Sequence, residues 1–200
     1  MKTLYIERST GDCRSGEWVE KLDLAEKPNR IVVGTGPGSF AGIRSALAFA
    51  QGYAIGSGCE VLGLPSACAL AQADRRVAVI GDARREKLWI ALFDGFSLIR
   101  DIFQINQSDL AGTVPNEKAG PVPENVGTVP EEIMGTVPEG WLVTTPDEAR
   151  IGGLLKETFG ERYIGGQSPT AEGLKAFAEA NPSILKAEPL PIYLNPAVRD

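Results

Sequence analysis

The sequence predicts an α/β protein, on three observations. A β-branched run, Ile31-Val-Val33, stops at a glycine-rich turn and continues into a helical stretch from Ile43 to about Gly56. Two apolar runs, Val77 to Gly81 and Lys87 to Phe93, flank a polar turn and read as a hairpin. Two further periodic stretches, opened by Thr145-Pro146 and Ser168-Pro169, read as helices. An apolar run that stops at glycine marks a strand covered on both faces, and Pro near the start of a periodic run marks a helix entry.

Thr3 to Arg8 reads as the first strand, ending in Glu7 beside Arg8, which reads as a surface ion pair. Residues 15 to 24, with Trp18 and Leu22, fit a short extended segment. The stretch Gly34-Thr-Gly-Pro-Gly-Ser-Phe-Ala-Gly42 follows the second strand. On the following helix, Ile43, Leu47, Ala50 and Ala54 form an apolar stripe, and Ala41, Ser45, Ala48, Gly52 and Gly56 form a stripe of small residues. Arg44 is almost its only charge. A helix apolar on one side and small on another is expected to pack on two sides, the second against the same chain or a partner. Glu60 to Leu64 is a strand, and Pro65 to Ala73 an alanine-filled helix that ends the first lobe near Asp74. In the hairpin, Leu88, Ile90 and Leu92 face one way and Trp89, Ala91 and Phe93 the other, so both faces are expected to be covered. Asp82 and Arg84 in its turn read either as an Asp-initiated turn or as a functional pair. Ser97 to Ile105 is a further strand.

A Gly-Thr-Val-Pro unit then recurs from Gly112, Gly127 and Gly135, with a variant at Gly120. Proline in each unit blocks a continuous helix or an inner strand, leaving turns and strand ends, with one helical turn at Pro130 to Met134. Trp141 to Thr144 is a strand. Thr145-Pro-Asp-Glu148 forms a capping box for a helix whose Ile151, Leu154, Leu155 and Phe159 share a face, with Gly160 closing it. Ala171, Leu174, Phe177 and Ala178 face inward on the last helix, and the tail from Pro189 is extended.

The glycine loop admits three readings. A Walker-type phosphate loop is excluded, because no lysine lies between Lys27 and Lys87. Gly36-Pro-Gly38-Ser-Phe-Ala41 fits a dinucleotide fingerprint. The acid of the next strand, Glu60, sits at its near end, however, and Pro37 removes a backbone donor. A tight turn that lets the helix lie on the sheet, and a loop that positions an interface helix, stay open beside it.

Composition narrows the classes. The 200 residues contain no histidine, which removes the commonest general base, Ser-His triads and His-rich metal sites. The formal charge of −6 and only two basic pairs, Arg75-Arg76 and Arg84-Arg85, argue against nucleic-acid binding by this chain alone. Cys13, Cys59 and Cys68 lack metal or redox spacing, as expected for reduced thiols in a cytoplasm. No apolar run approaches the roughly 18 residues of a membrane span.

The loop and helix, with Ala50-Gln-Gly52 and Val61-Leu-Gly-Leu-Pro-Ser66, resemble the TsaB (YeaZ) family and its Gly-Pro-Gly-Ser-Phe-Thr-Gly-[Leu/Val/Ile]-Arg hallmark, with Ala41 in place of the Thr. Val79-Ile-Gly-Asp-Ala-Arg84 resembles the family's Ile-Asp-Ala-Arg hairpin, and Glu188-Pro-Leu-Pro-Ile-Tyr-Leu194 its terminal signature. The resemblance implies an actin-like ATPase (ribonuclease H-like) fold of two lobes, residues 1–75 and a reduced second lobe over 76–200 with the Pro-rich insert 112–140. It implies a non-catalytic subunit in making threonylcarbamoyl-adenosine on tRNA. Such a subunit forms a homodimer in isolation and pairs with a TsaD-type catalytic protein, with a TsaE-type ATPase alongside. Any ATP and Mg²⁺ would be held by the partner. The implied association surface is helix 43–56 with Arg44, Ser45, Ala48, Gly52 and Gly56, set in place by Gly36, Pro37, Gly38, Ser39, Phe40 and Gly42. Glu7 stands where the family has an Asp, and residues 13–29 are too few for the family's hairpin plus helix, so the first lobe is shortened. Two alternatives remain: a diverged homodimer without a tRNA role, and a nucleotide-binding enzyme using the glycine loop with Asp82 and Arg84.

Overall fold

A computed structural model describes residues 2–10, 19, 22, 24, 27–110 and 137–194. The short extended segment expected over 15–24, the turns of the Gly-Thr-Val-Pro repeat and the helical turn at 130–134 fall mostly or wholly outside these residues, as does the tail beyond 194.

The chain forms two units. The first comprises Met1–Leu70 and Pro169–Tyr193, the second Ala71–Ser168 and Leu194–Asp200. The sequence division at 75/76 assigns the last helix to the second lobe. The structure places it in the first, because its apolar face packs there.

In the first unit, β1 (Thr3–Ile6), β2 (Arg30–Gly34) and β3 (Glu60–Leu64) run parallel, and a two-residue β9 (Lys186–Ala187) joins β3 antiparallel, in the order β1-β2-β3-β9. Ile31, Val32 and Val33 are fully buried, as a central parallel strand requires. Helix α1 (Phe40–Ser57) begins three residues before the expected Ile43. Ser39 caps it: the Gly42 amide donates to the Ser39 hydroxyl at 3.3 Å. Gly58, in the left-handed conformation at φ 70°, ends it. Ile43, Ala46, Leu47 and Ala50 bury one face of α1 against Ile6, Ile31 and Val33. The helix expected over Pro65 to Ala73 is a single 3-10 segment, Ser66–Leu70. A stretch this short cannot recover the cost of helix nucleation without a longer apolar face. Helix α3 (Ala171–Ala180), capped by Thr170, packs on this segment and on β1 with Leu174, Phe177 and Ala178 buried.

In the second unit, β4 (Arg76–Arg84), β5 (Lys87–Asp94) and β6 (Ser97–Asn106) form an antiparallel meander. β7 (Leu142–Thr145) and β8 (Tyr163–Gly166) run parallel beyond β4, giving the order β6-β5-β4-β7-β8. Leu88 through Phe93 are all buried, so both hairpin faces are covered as expected. Helix α2 (Glu148–Phe159) packs Ile151, Leu155 and Phe159 into a core with Ala78, Ile80, Leu88, Ile90 and Val143. Its entry is not the expected capping box. Thr145 is the last residue of β7, its hydroxyl accepts the Asp147 amide at 3.0 Å, and Asp147 is the residue before the helix. The Glu148 carboxylate is taken by the Tyr163 hydroxyl instead.

The β4–β5 turn is tighter than expected, because β4 runs on to Arg84 while β5 begins at Lys87 as expected. Its residues Arg84, Arg85 and Glu86 have φ of 68°, 53° and 59°. Left-handed backbone costs an L-residue about 1–2 kcal/mol.

Candidate association surface

The open face of α1 is built by its own sequence. Burial of Ile43, Ala46, Leu47 and Ala50 rotates Ala41, Arg44, Ala48, Gly52 and Gly56 outward, and all five are exposed, with Ser45 half-buried between the faces. A Cβ added at Gly52 or Gly56 would meet no described atom within 4 Å. The helix therefore packs on one side only among the described residues, and the small-residue stripe is the uncovered side. Two large apolar side chains accompany it: Ile55 is 90% exposed and Phe40 57%. Neither stood out in the sequence. Ile55 lies off both stripes, and in sequence Phe40 belongs to the turn, whereas in the structure it is the first residue of the helix.

The start of this face is an aromatic and cationic cluster. The Arg44 guanidinium lies 4.9 Å from the centre of the Phe40 ring. Tyr193, itself 57% exposed, places its ring 5.7 Å from that of Phe40. Tyr193 is held there by the segment 189–193, whose Ile192 amide donates to the Thr35 carbonyl at 2.8 Å.

The glycine loop beneath commits its donors inside the unit. The Thr35 amide donates to the Leu64 carbonyl at 2.9 Å, the Gly36 amide to the Ser66 hydroxyl at 2.9 Å, and the Ser39 amide to the Ser9 carbonyl at 2.6 Å. Gly36 and Gly38 have φ of 97° and 156°, and Gly36-Pro37 is cis. A Cβ at Gly38 would overlap Ser9. Gly36, Pro37, Gly38, Ser39, Phe40 and Gly42 thus form a packed turn that sets the helix on the sheet. Glu60, the acid a dinucleotide site would need at the far end of β3, pairs with Arg30 at 2.7 Å at the near end.

Glu7 is not the surface ion pair expected. Its Oε1 accepts the Ser9 amide at 2.6 Å, and its Oε2 is buried with no hydrogen-bond partner among the described residues. Burial pushes this carboxyl above its ordinary value and outweighs the Ser9 hydrogen bonds. Burial likewise pushes the neighbouring Cys68 thiol up, which keeps it protonated.

Asp82 and Arg84 lie in the second unit. The Arg84 amide donates to Asp82 Oδ1 at 2.7 Å, the Asp-initiated turn read from the sequence. Asp82 Oδ2 is 3.3 Å from Arg84 and 3.4 Å from Arg150, and the Asp82 amide donates to Asp147 Oδ2 at 2.9 Å. The Asp82 carboxylate is thus neutralised within its own unit. No helix of the described residues is long and apolar enough to cross a membrane, and no cluster of three metal-ligating side chains occurs among them.

A parallel-stranded sheet with its crossover helix in one unit, and a meander extended by parallel strands in the other, define the actin-like ATPase (ribonuclease H-like) fold. Two solved structures share it. YeaZ from Pseudomonas aeruginosa is 22% identical, with a TM-score of 0.57 over 90% of this chain and 84% of its own. A crystal structure described as an uncharacterized protein with similarity to peptidase YeaZ from Pseudomonas aeruginosa is 21% identical, with a TM-score of 0.55 over 84% of this chain and 74% of its own. No curated protein matches the chain. The family model described as TsaD, tRNA N6-adenosine threonylcarbamoyltransferase, matches residues 17–117. The chain belongs to that family, and its fold is the YeaZ fold the loop motif implied.

Proposed function

We propose that this protein is a non-catalytic, cytoplasmic subunit of the tRNA threonylcarbamoyladenosine system that associates with a TsaD-type catalytic protein through the open face of α1. The observation that carries this reading is the uncovered stripe itself. Gly52 and Gly56 have free space above them, and Ile55 and Phe40 stand exposed on the same helix. Small residues let a second backbone approach closely, and exposed apolar side chains of this size mark contact surfaces. Arg44, stacked on Phe40, supplies a charged anchor at the edge. The absence of histidine and the internally committed glycine loop support a binding rather than a chemical role. ATP and Mg²⁺ are held by the partner, and a TsaE-type ATPase joins the assembly. The charge of −6 leaves tRNA contact to the other subunits.

The test is light scattering after size-exclusion chromatography, with this chain alone and mixed with the TsaD-type protein of the same genome. A homodimer alone that converts to a heterodimer on mixing is the expected result. A chain that stays unchanged in the mixture overturns the partner reading and favours a diverged homodimer without a tRNA role.

A further inference from the structure

We propose that the second unit carries a binding site for a small zwitterionic α-amino acid at the tip of the β4–β5 hairpin. A cavity of about 520 Å³ opens there, lined by Arg85, Glu86, Asn106, Gln107, Ser108 and Leu154. That volume lies in the range of small-molecule sites.

Three observations converge on this ligand class. The first is charge. Among the described residues, Arg30, Arg76, Arg84 and Arg150 each face a carboxylate within 3.4 Å, Arg44, Arg100 and Arg162 lie over aromatic rings, and Arg75 and Arg85 face neither. The Arg85 and Glu86 side chains have no such partner among the described residues, although they adjoin one another on the same cavity. A guanidinium left free matches a carboxylate with two parallel hydrogen bonds, and a free carboxylate matches an ammonium. A ligand carrying both groups neutralises both residues. A phosphate would satisfy Arg85 and be repelled by Glu86.

The second is preorganisation. Arg84, Arg85 and Glu86 hold left-handed backbone with φ of 68°, 53° and 59°, a conformation that glycine would adopt without cost. The sequence nevertheless keeps three charged side chains at the tip, and strain of this kind concentrates at ligand sites. The tip is fixed from both ends. The Arg84 amide is bound to Asp82, and the Gln107 amide donates to the Glu86 carbonyl at 2.7 Å. Lys87 pairs in register with Asn106, which brings the charged tip against the end of β6.

The third is the rest of the lining. Among the described residues no aromatic ring borders the cavity, so none of them offers a nucleobase a surface to stack on. Asn106 Nδ2 and the Ser108 hydroxyl donate to Asp109 at 2.8 and 3.2 Å, which orients both side chains. Gln107 adds a side-chain amide, and Leu154 of α2 supplies an apolar wall for a short side chain.

The inference is independent of the association reading, because binding is measured on this chain alone. The experiment is isothermal titration of the full chain with free α-amino acids, their methyl esters, their N-acetyl derivatives and inorganic phosphate. At least one free amino acid should bind one to one. Blocking either its carboxylate or its ammonium should weaken it at least about tenfold, equivalent to about 1.4 kcal/mol. Arg85→Gln and Glu86→Gln should each do the same. Arg85→Gly removes the guanidinium and relieves the turn, so it should melt higher than the parent and bind no amino acid, separating lost binding from lost folding. Absence of saturable binding by every free amino acid overturns the proposal. So do equal binding of the blocked derivatives, binding of phosphate alone, and parental affinity in either glutamine variant.

Discussion

Glu7 follows β1 directly and keeps one carboxyl oxygen, Oε2, buried without a hydrogen-bond partner among the described residues. Because burial raises its pKa, the folded state holds the proton more tightly than the unfolded chain. Its contribution to stability is full below the ordinary value of 4.5 and is lost as pH rises through the raised folded value. Glu7→Gln, which keeps the shape without the charge, should therefore raise the melting temperature at neutral pH and flatten the fall in stability between acid and neutral pH. Melting curves across that window check this, and an unchanged slope would place the pH dependence elsewhere. The room for the carboxyl is the missing side chain of Gly34, since a Cβ there would overlap it and the Ser66 hydroxyl. Gly34→Ala should cost about 1–3 kcal/mol by overpacking. Gly52→Ala should instead stabilise the isolated chain by about 1 kcal/mol, since the helix gains propensity and the new methyl meets nothing. Denaturant titration of the two variants separates the cases. An acid beside an arginine reads as a solvated pair in sequence. Only the parallel pairing of β1 with β2, which sets the carboxyl against Gly34 and Ser66, shows that this acid points inward.

Helix α1 was legible as an element because its two stripes repeat at helical spacing. Its buried side was legible because Ile43, Leu47 and Ala50 share one stripe. Its start is not, because Ser39 reads as one more residue of the glycine loop, and only the structure shows its hydroxyl accepting the Gly42 amide. The 66–70 segment shows the opposite error: alanine content suggested a helix where the available length supports one 3-10 turn. The open side carries the association prediction. Gly52→Trp should abolish assembly while leaving circular dichroism and melting near those of the parent. Ile55→Asp should weaken assembly in the same way, since a charge would be buried at the contact. Assembly unchanged in both variants would remove α1 from the interface.

At the level of the whole molecule, the α/β class and the hairpin were readable, but the division into units was not. Sequence order suggested a boundary near residue 75 and nothing that crosses back. The structure returns residues 169–193 to the first unit, because Leu174 and Phe177 find their cover on the 66–70 segment and β1. That pairing is specified by three-dimensional fit and leaves no mark on local periodicity. A chain ended at Ser168 should lose the fold of the first unit, since removing a single buried Leu or Phe side chain already costs about 2–5 kcal/mol. Hydrogen exchange should show β1–β3 unprotected in that truncation, with β4, β5 and β7 still protected. Protection of β1–β3 without α3 would refute it.

The same return path orders events on the ribosome. The segment 71–168 must be made before the last cover of the first unit exists. At about 5–20 residues per second, synthesis of that segment takes roughly 5–20 seconds. Through that interval β1 and the 66–70 segment wait without the helix that covers them, while the second unit, nearly contiguous in the chain, can close first. The first unit is then the last to be finished, and its residues 1–70 are the part of the nascent chain most exposed to chaperones and proteases.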